Sequence, residues 1–298
     1  MGTLLPFYRQ WMFVVLLAVT SNGAVQAQYT RSNEPVEKNP AATPLRVEMV
    51  KTGLFLISGG GSNSVLRLSA NGLIIVDGKA PGGYEALLTQ AKKISDQPIR
   101  ILINTDHHGD HTATNADFLE DGTNIIAQQN AGKNLSTYNS AAGKVTPPTK
   151  TYDREFTIRL GGIETQLLHF GNAHTNGDTV VYFPNLKAVA VGDLFAAVPD
   201  PDYAAGGSLV EWVPVLDQIL KLDFDTVVPA SGPLVGRAEL EAFRVKLGIL
   251  ISRAADLARK GVPKNQLMDQ LKTDDLGWRL SYTGSRLDDF YAELTSGK

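Results

Sequence analysis

Thr105-Asp106-His107-His108-Gly109-Asp110-His111 is the stretch on which the reading of this chain turns. It places five side chains able to bind a metal within six residues, directly after the run Ile99–Ile103, apolar but for Arg100. Such a run reads as a strand buried on both faces. The polar cluster then sits on the loop at the strand's C-terminal end, where sheets with helical crossovers carry their chemistry. A short loop can aim alternate side chains at an ion but cannot surround it, so distant residues must complete the set. The sequence offers His174 in Asn172-Ala173-His174-Thr175-Asn176-Gly177-Asp178 and Asp193 in Val191-Gly192-Asp193-Leu194-Phe195, each after a predicted strand.

Composition narrows the chemistry. The 298 residues include no cysteine, which excludes disulfides, thiolate zinc sites, iron–sulfur clusters and cysteine nucleophiles. Any metal must therefore be held by His, Asp or Glu, and all five histidines (107, 108, 111, 169 and 174) lie in one part of the chain. Lys plus Arg number 28 against 31 Asp plus Glu, so no cationic surplus exists to hold nucleic acid by its phosphates. With 43% hydrophobic residues the chain is rich enough in apolar side chains to build a core.

The N-terminus reads as an exported protein's. Arg9 precedes the apolar run Trp11–Val19, and Val25-Gln26-Ala27 supplies small residues at a cleavage position, so residues 1–27 are expected to be a signal peptide. The run is too short to span a bilayer comfortably, and no stable membrane anchor is expected after cleavage. Residues 28–44 are polar, with prolines at 35, 40 and 44, and read as a flexible leader. The expected location is the periplasm or the medium.

From Leu45 the pattern predicts strands over Val47–Val50, Leu54–Ser58, Ser64–Ser69 and Leu73–Asp77, a helix over Glu85–Ile94, and the strand Ile99–Ile103. A second half predicts strands over Glu155–Leu160, Glu164–His169, Thr179–Phe183 and Ala188–Val191, a helix over Leu209–Leu222 and a strand over Thr226–Pro229. Helices follow over Arg237–Arg259, Lys264–Leu271 and Ser285–Leu294. No polar linker divides the halves, so residues 45–298 are expected to form one α/β (α+β) domain of two sheets packed face to face between helical layers.

Four blocks in this order resemble the metallo-β-lactamase superfamily over roughly residues 47–244. Its pattern is H-x-H-x-D-H, G-x-x-H-T-x-G-D, G-D-x-x-F and a late P-x-H-G-P. This chain reads D-H-H-G-D-H from Asp106, G-N-A-H-T-N-G-D from Gly171, G-D-L-F from Gly192 and P-A-S-G-P from Pro229. The resemblance implies the four-layer αββα sandwich of that fold. It also implies a first metal site from Asp106, His108 and His174, a second from Asp110 and His111, and Asp193 as a bridging carboxylate. Two positions depart from the pattern. Asp106 stands for the first histidine, and Ser231 stands for the late one, as either a weak ligand or a bystander. Zinc is expected, one or two ions. The added carboxylate also favours harder cations such as Mn²⁺ or Fe²⁺.

The remaining candidates sit around these ligands. His107 reads as a pocket-wall residue or a substitute for Asp106, Tyr203 as a substrate contact on the loop Pro199–Gly207, and Asp77 as a brace for the ligand loop or a turn residue. Asp178 reads as a brace within its own loop and His169 as an ordinary strand residue. The glycine run Gly59–Gly61 lacks the lysine and following helix of a phosphate loop and reads as a hairpin turn. The expected function is metal-dependent hydrolysis of a small-molecule amide, ester or lactone, β-lactams included, by a metal-bound hydroxide with Asp110 as the catalytic carboxylate. A glyoxalase-like thioesterase or lactonase, and a non-catalytic binding protein with a degenerate metal site, are the alternatives.

Overall fold

Strand β4 (Gly72–Val76) is buried along its whole length because both its faces are covered. Ile74 and Val76 point into a core shared with the second sheet, whereas Leu73 and Ile75 point to the opposite side, against helix α1 (Tyr84–Ile94). That is the two-residue period of a strand applied to a sheet with two apolar faces. The computed structural model describes residues 44–296 except 138, 141, 142 and 145. The signal read over 1–27 and nearly all of the leader read over 28–44 lie outside the described residues.

Strands β1 (Arg46–Lys51), β2 (Leu54–Ser58), β3 (Ser64–Ser69) and β4 form an antiparallel meander. Strand β5 (Ile99–Ile103) then pairs parallel to β4 after the crossover through α1, and β6 (Asn124–Gln128) parallel to β5. A short helix α2 (Gly109–Thr112) and α3 (Asn115–Glu120) occupy the β5–β6 crossover. Helix α4 (Gln129–Thr137) and a two-residue pair, β7 (Asn139–Ser140) with β8 (Gly143–Lys144), precede β9 (Lys150–Tyr152), the last strand of the first sheet.

The second sheet runs β10 (Glu155–Leu160), β11 (Ile163–Leu168), β12 (Val180–Phe183), β13 (Ala188–Gly192), β14 (Thr226–Pro229) and the short β15 (Val235–Gly236). Only β13 and β14 are parallel in it, joined across α5 (Leu209–Ile219). Leu54, Val76 and Ile103 of the first sheet meet Leu167, Val181, Phe183 and Val228 of the second in one core. Each such side chain fully withdrawn from water contributes about 1.5–3 kcal/mol. Helix α6 (Arg237–Arg259) packs on α5 and β14, with Leu240, Phe243, Leu247, Leu250 and Ala254 as its buried stripe. Helices α7 (Lys264–Gln270) and α8 (Gly284–Thr295) lie against α6. Helix, sheet, sheet and helix make the expected four layers.

The predicted strands over Leu54–Ser58, Ser64–Ser69, Ile99–Ile103, Glu155–Leu160 and Thr226–Pro229 form over those residues. The sequence reading assigns no helix or strand between Thr112 and Arg154, where the structure has two helices and the strands β6, β7, β8 and β9. Those elements are short and partly polar, and β9 has three residues held by parallel pairing to β6, which no local periodicity announces. Among the described residues no helix is long and apolar enough to cross a membrane.

Candidate metal centre

The site forms at the C-terminal ends of β4, β5 and β13 and on the loop between β11 and β12. At the end of β4, Asp77 adopts a left-handed backbone with φ of 59°. A non-glycine residue held there stores strain, which its side-chain bonds offset. Its carboxylate accepts from the Thr105 backbone N–H and hydroxyl, both at 2.7 Å, and lies 3.0 Å from His111 Nδ1. Burial pushes the Asp77 carboxyl up, against the opposing pull of His111 and Thr105. Asp77 therefore fixes both the ligand loop and the ring of His111, leaving Nε2 to face the site.

Around that point the expected donors converge. His174 Nε2 lies 3.3 Å from His108 Nδ1, 3.6 Å from Asp193 Oδ2 and 3.8 Å from Asp106 Oδ2. One ligand atom from each of Asp106, His108, His174 and Asp193 falls within 4.8 Å of all the others. His111 Nε2 is 3.3 Å from the same Asp193 oxygen and 3.8 Å from Asp110 Oδ2. Asp193 thus stands between the two groups.

Two observations show that these residues fit a divalent cation. Asp106 is buried and its Oδ2 has no hydrogen-bond partner, an arrangement that is costly unless something positive occupies the space it faces. Nitrogen and oxygen donors at about 2.0–2.1 Å around one tetrahedral ion stand roughly 3.4 Å apart, close to the separations His174 makes here. Electrostatics agree. Burial alone would push His108 down, but Asp106 and Asp202 carry it up to about 11, and His111 rises well above its usual range beside Asp106, Asp77 and Asp110. The carboxylates demand positive charge that a bound cation would supply in place of those protons. His107, by contrast, is pushed down to about 4 by burial and the neighbouring His108.

The outer nitrogens are held too. His174 Nδ1 is 2.8 Å from the Asp200 carbonyl, and His108 Nε2 is 3.2 Å from Asp202 Oδ2. His107 Nε2 lies 3.7 Å from the same Asp202 oxygen. The Trp212 ring stands 6.1 Å from that of His174 and donates its N–H to the Leu194 carbonyl, backing the site from α5. Asp178 braces its loop, accepting from the Thr175 N–H and hydroxyl, while burial raises its carboxyl to about 7. His169 follows β11 and bonds the Asp178 carbonyl, outside the cluster.

Three further residues, Ser231, Ser62 and Tyr203, complete the surroundings of the cluster. Ser231 is exposed on the turn after β14. Ser62 takes the place beside the second group. Its hydroxyl donates to Asp110 Oδ2 and lies 3.1 Å from His111 Nε2. Asn63 secures it there, bonding the Pro229, Ala230 and Gly232 carbonyls, and the buried Lys79 donates to the Ser62 carbonyl at 2.6 Å. Burial drives Lys79 down to about 7 against the attraction of Asp77 and Asp110. Tyr203 is the third. Its hydroxyl donates to Glu293 on α8, so it is engaged with the C-terminal helix, and the loop reaches the imidazoles instead through the Asp202 carboxylate and the Asp200 carbonyl. Ser62 and Asp202 carry no distinctive spacing in the sequence. The one available signal for Ser62 was the glycine-rich hairpin flanking the pocket.

Comparison with known proteins agrees with this architecture. Residues 57–231 match the family model described as the Metallo-beta-lactamase superfamily, and the chain belongs to that superfamily. Among curated proteins it is 26% identical over 257 residues to the 2,4-dinitroanisole O-demethylase subunit alpha of Nocardioides sp. (strain JS1661), covering 84% of this chain and 74% of that one. It is 22% identical over 254 residues to the linear primary-alkylsulfatase of Pseudomonas sp. (strain ATCC 19151), covering 67% of this chain but 48% of that protein, about half its length. Among solved structures, a metallo-beta-lactamase from Pontibacter korlensis superposes with a TM-score of 0.60 at 21% identity, over 68% of this chain and 99% of that one. The DIM-1 metallo-beta-lactamase gives the same score and identity over 70% and 99%. At such identity these two speak for the fold alone.

Proposed function

We propose that this chain is an exported, metal-dependent hydrolase of a small molecule carrying an ester, lactone or related oxygen-linked group. The observation that carries the reading is the buried, unpartnered Asp106 Oδ2 facing the nitrogens of His111 and His174. Both curated relatives bear names for removal of a group attached through oxygen, which favours such a bond over a β-lactam amide. Export rests on Arg9, the run Trp11–Val19 and the Val25–Ala27 cleavage position.

An ion held by Asp106, His108, His174 and Asp193, with a second beside Asp110 and His111, would polarise the scissile group and acidify the attacking water. The protein's own part is to orient and to move protons. Asp77 holds the Nδ1 proton of His111. The Asp200 carbonyl and Asp202 hold those on His174 Nδ1 and His108 Nε2, so each ring presents its other nitrogen inward. Asp110 is half exposed at the mouth and accepts the Ser62 hydroxyl proton. It is the carboxylate placed to take a proton from the attacking water and return it to the leaving oxygen.

The departure at Ser231 favours a second reading, a binding protein holding one ion without turnover. Metal analysis of the purified chain by mass spectrometry, with an aryl ester, an acyl lactone, an alkyl sulfate and nitrocefin assayed on the same sample, separates them. Bound metal with ester or lactone turnover supports the proposal. Bound metal with no turnover selects the binding protein, and absence of metal after supply of zinc, manganese and iron removes the metal reading.

A further inference from the structure

Helix α8 lies beyond the residues that match the superfamily, yet it reaches the imidazoles through one loop. The buried Tyr282, just before α8, donates its hydroxyl to the Pro199 carbonyl at 2.9 Å. Arg286 pairs with the Asp200 carboxylate at 2.7 Å, and Glu293 accepts the Tyr203 hydroxyl at 3.1 Å. Three side chains of the C-terminal segment thus fasten positions 199, 200 and 203.

The same few residues face the metal centre from their other side. The Asp200 carbonyl is 2.8 Å from His174 Nδ1, and Asp202 Oδ2 is 3.2 Å from His108 Nε2. The Asp202 N–H donates to the His174 carbonyl at 2.7 Å, and the Gly207 N–H to the Asp202 carbonyl at 2.7 Å. The packing is close enough that a Cβ on Gly207 would stand 2.4 Å from the His174 carbonyl oxygen. An imidazole can spin about its bond to Cβ, and only an acceptor fixed against its outer nitrogen holds the plane that aims the inner one. Loss of such an outer partner typically costs 10–100-fold in metal affinity.

We propose that Tyr282, Arg286 and Glu293 are positioning residues of the metal centre: by fastening residues 199–203 they hold the Asp200 carbonyl and Asp202 against His174 and His108. The proposal rests on the metal reading above. A helix that merely covers apolar surface would raise the melting temperature without altering how the folded chain holds a metal. A positioning helix alters the metal's affinity and coordination in the folded chain.

The test is cobalt(II) titration of the full chain, read by visible absorption well below the melting temperature. Tyr203→Phe/Tyr282→Phe/Arg286→Ala removes the three links to the loop and keeps both aromatic rings. It is expected to bind cobalt about 10-fold more weakly, with shifted absorption bands. Asp202→Asn is expected to move affinity in the same direction, while Arg286→Lys, which keeps the cation facing Asp200, retains the native titration. Native affinity and bands in the triple variant overturn the proposal. If that variant does not fold, Tyr282→Phe and Asp202→Asn decide by the same criterion. A native chain that takes no cobalt overturns the metal reading and this inference together, whereas native binding unchanged in every variant overturns the inference alone.

Discussion

Ser62 Oγ sits against both Asp110 Oδ2 and His111 Nε2, while Ser231 faces solvent. Ser62→Ala is therefore expected to weaken uptake of a second ion about 10-fold and spare the first, with Ser231→Ala changing neither; a zinc titration against a chromophoric chelator reads both. Asp110 is half exposed, so Asp110→Ala is expected to leave the melting temperature nearly unchanged while lowering kcat by about 100-fold or more. Retained turnover in that variant would remove Asp110 from the mechanism. At this scale the sequence was informative for side chains of rare type in tight spacing, which the fold gathers into the candidate cluster. Asp106, His108, Asp110 and His111 stand in one loop, and His174 and Asp193 in blocks with their own glycine and aspartate signatures. Serine and a lone aspartate are common in any loop, so Ser62 and Asp202 became visible only when their neighbours were in place.

The two ligand-bearing strand ends are pressed together at Gly192, the last residue of β13, which has φ of +54°. A Cβ there would stand 2.6 Å from Thr105 Oγ1, the hydroxyl that Asp77 holds at the end of β4. Gly192→Ala therefore forces Asp193 and the loop of Asp106 apart and places a side chain in a left-handed backbone. We expect a loss of about 1–3 kcal/mol in urea unfolding, accompanied by lower metal content in the folded fraction. Unchanged metal content would show that the two strand ends tolerate separation. The apolar runs of β4 and β14 announced themselves because strands covered on both faces need little polar alternation, whereas β5, expected to be buried on both faces, carries an exposed Arg100 and is fully buried only at Leu102 and Ile103. Strand β9 did not, since its partner β6 lies more than twenty residues earlier and a three-residue strand has no period of its own.

Across the whole molecule, the half-buried Glu293 joins α8 to the loop at 199–203. Burial holds its carboxyl above the ordinary glutamate value of 4.5, against hydrogen bonds from Ser208 and Tyr203. In the window above 4.5 the folded chain then carries more protons at this group than the unfolded chain. The sign follows: Glu293's contribution to stability is fullest in acid and declines as pH rises through its folded pKa. Glu293→Gln cannot titrate, so the difference in urea midpoint between variant and native chain is expected to grow in the variant's favour from pH 4 towards neutrality. A pH-independent difference would show that Glu293 has the same pKa folded and unfolded.

What the sequence determined by itself was chemistry that depends on residue type and local spacing. The absence of cysteine left imidazole and carboxylate as donors, the order of the His and Asp blocks specified the superfamily, and the apolar runs marked the central strands. Tertiary structure alone decided which serine stands beside the second group and that Asp200 and Asp202 of the 199–207 loop reach the imidazoles. It also decided that a helix more than a hundred residues after His174 would help to aim it. Those choices follow from where strand ends and loops come together after two sheets pack on one core, and contacts between residues far apart in the chain leave no periodic trace in it.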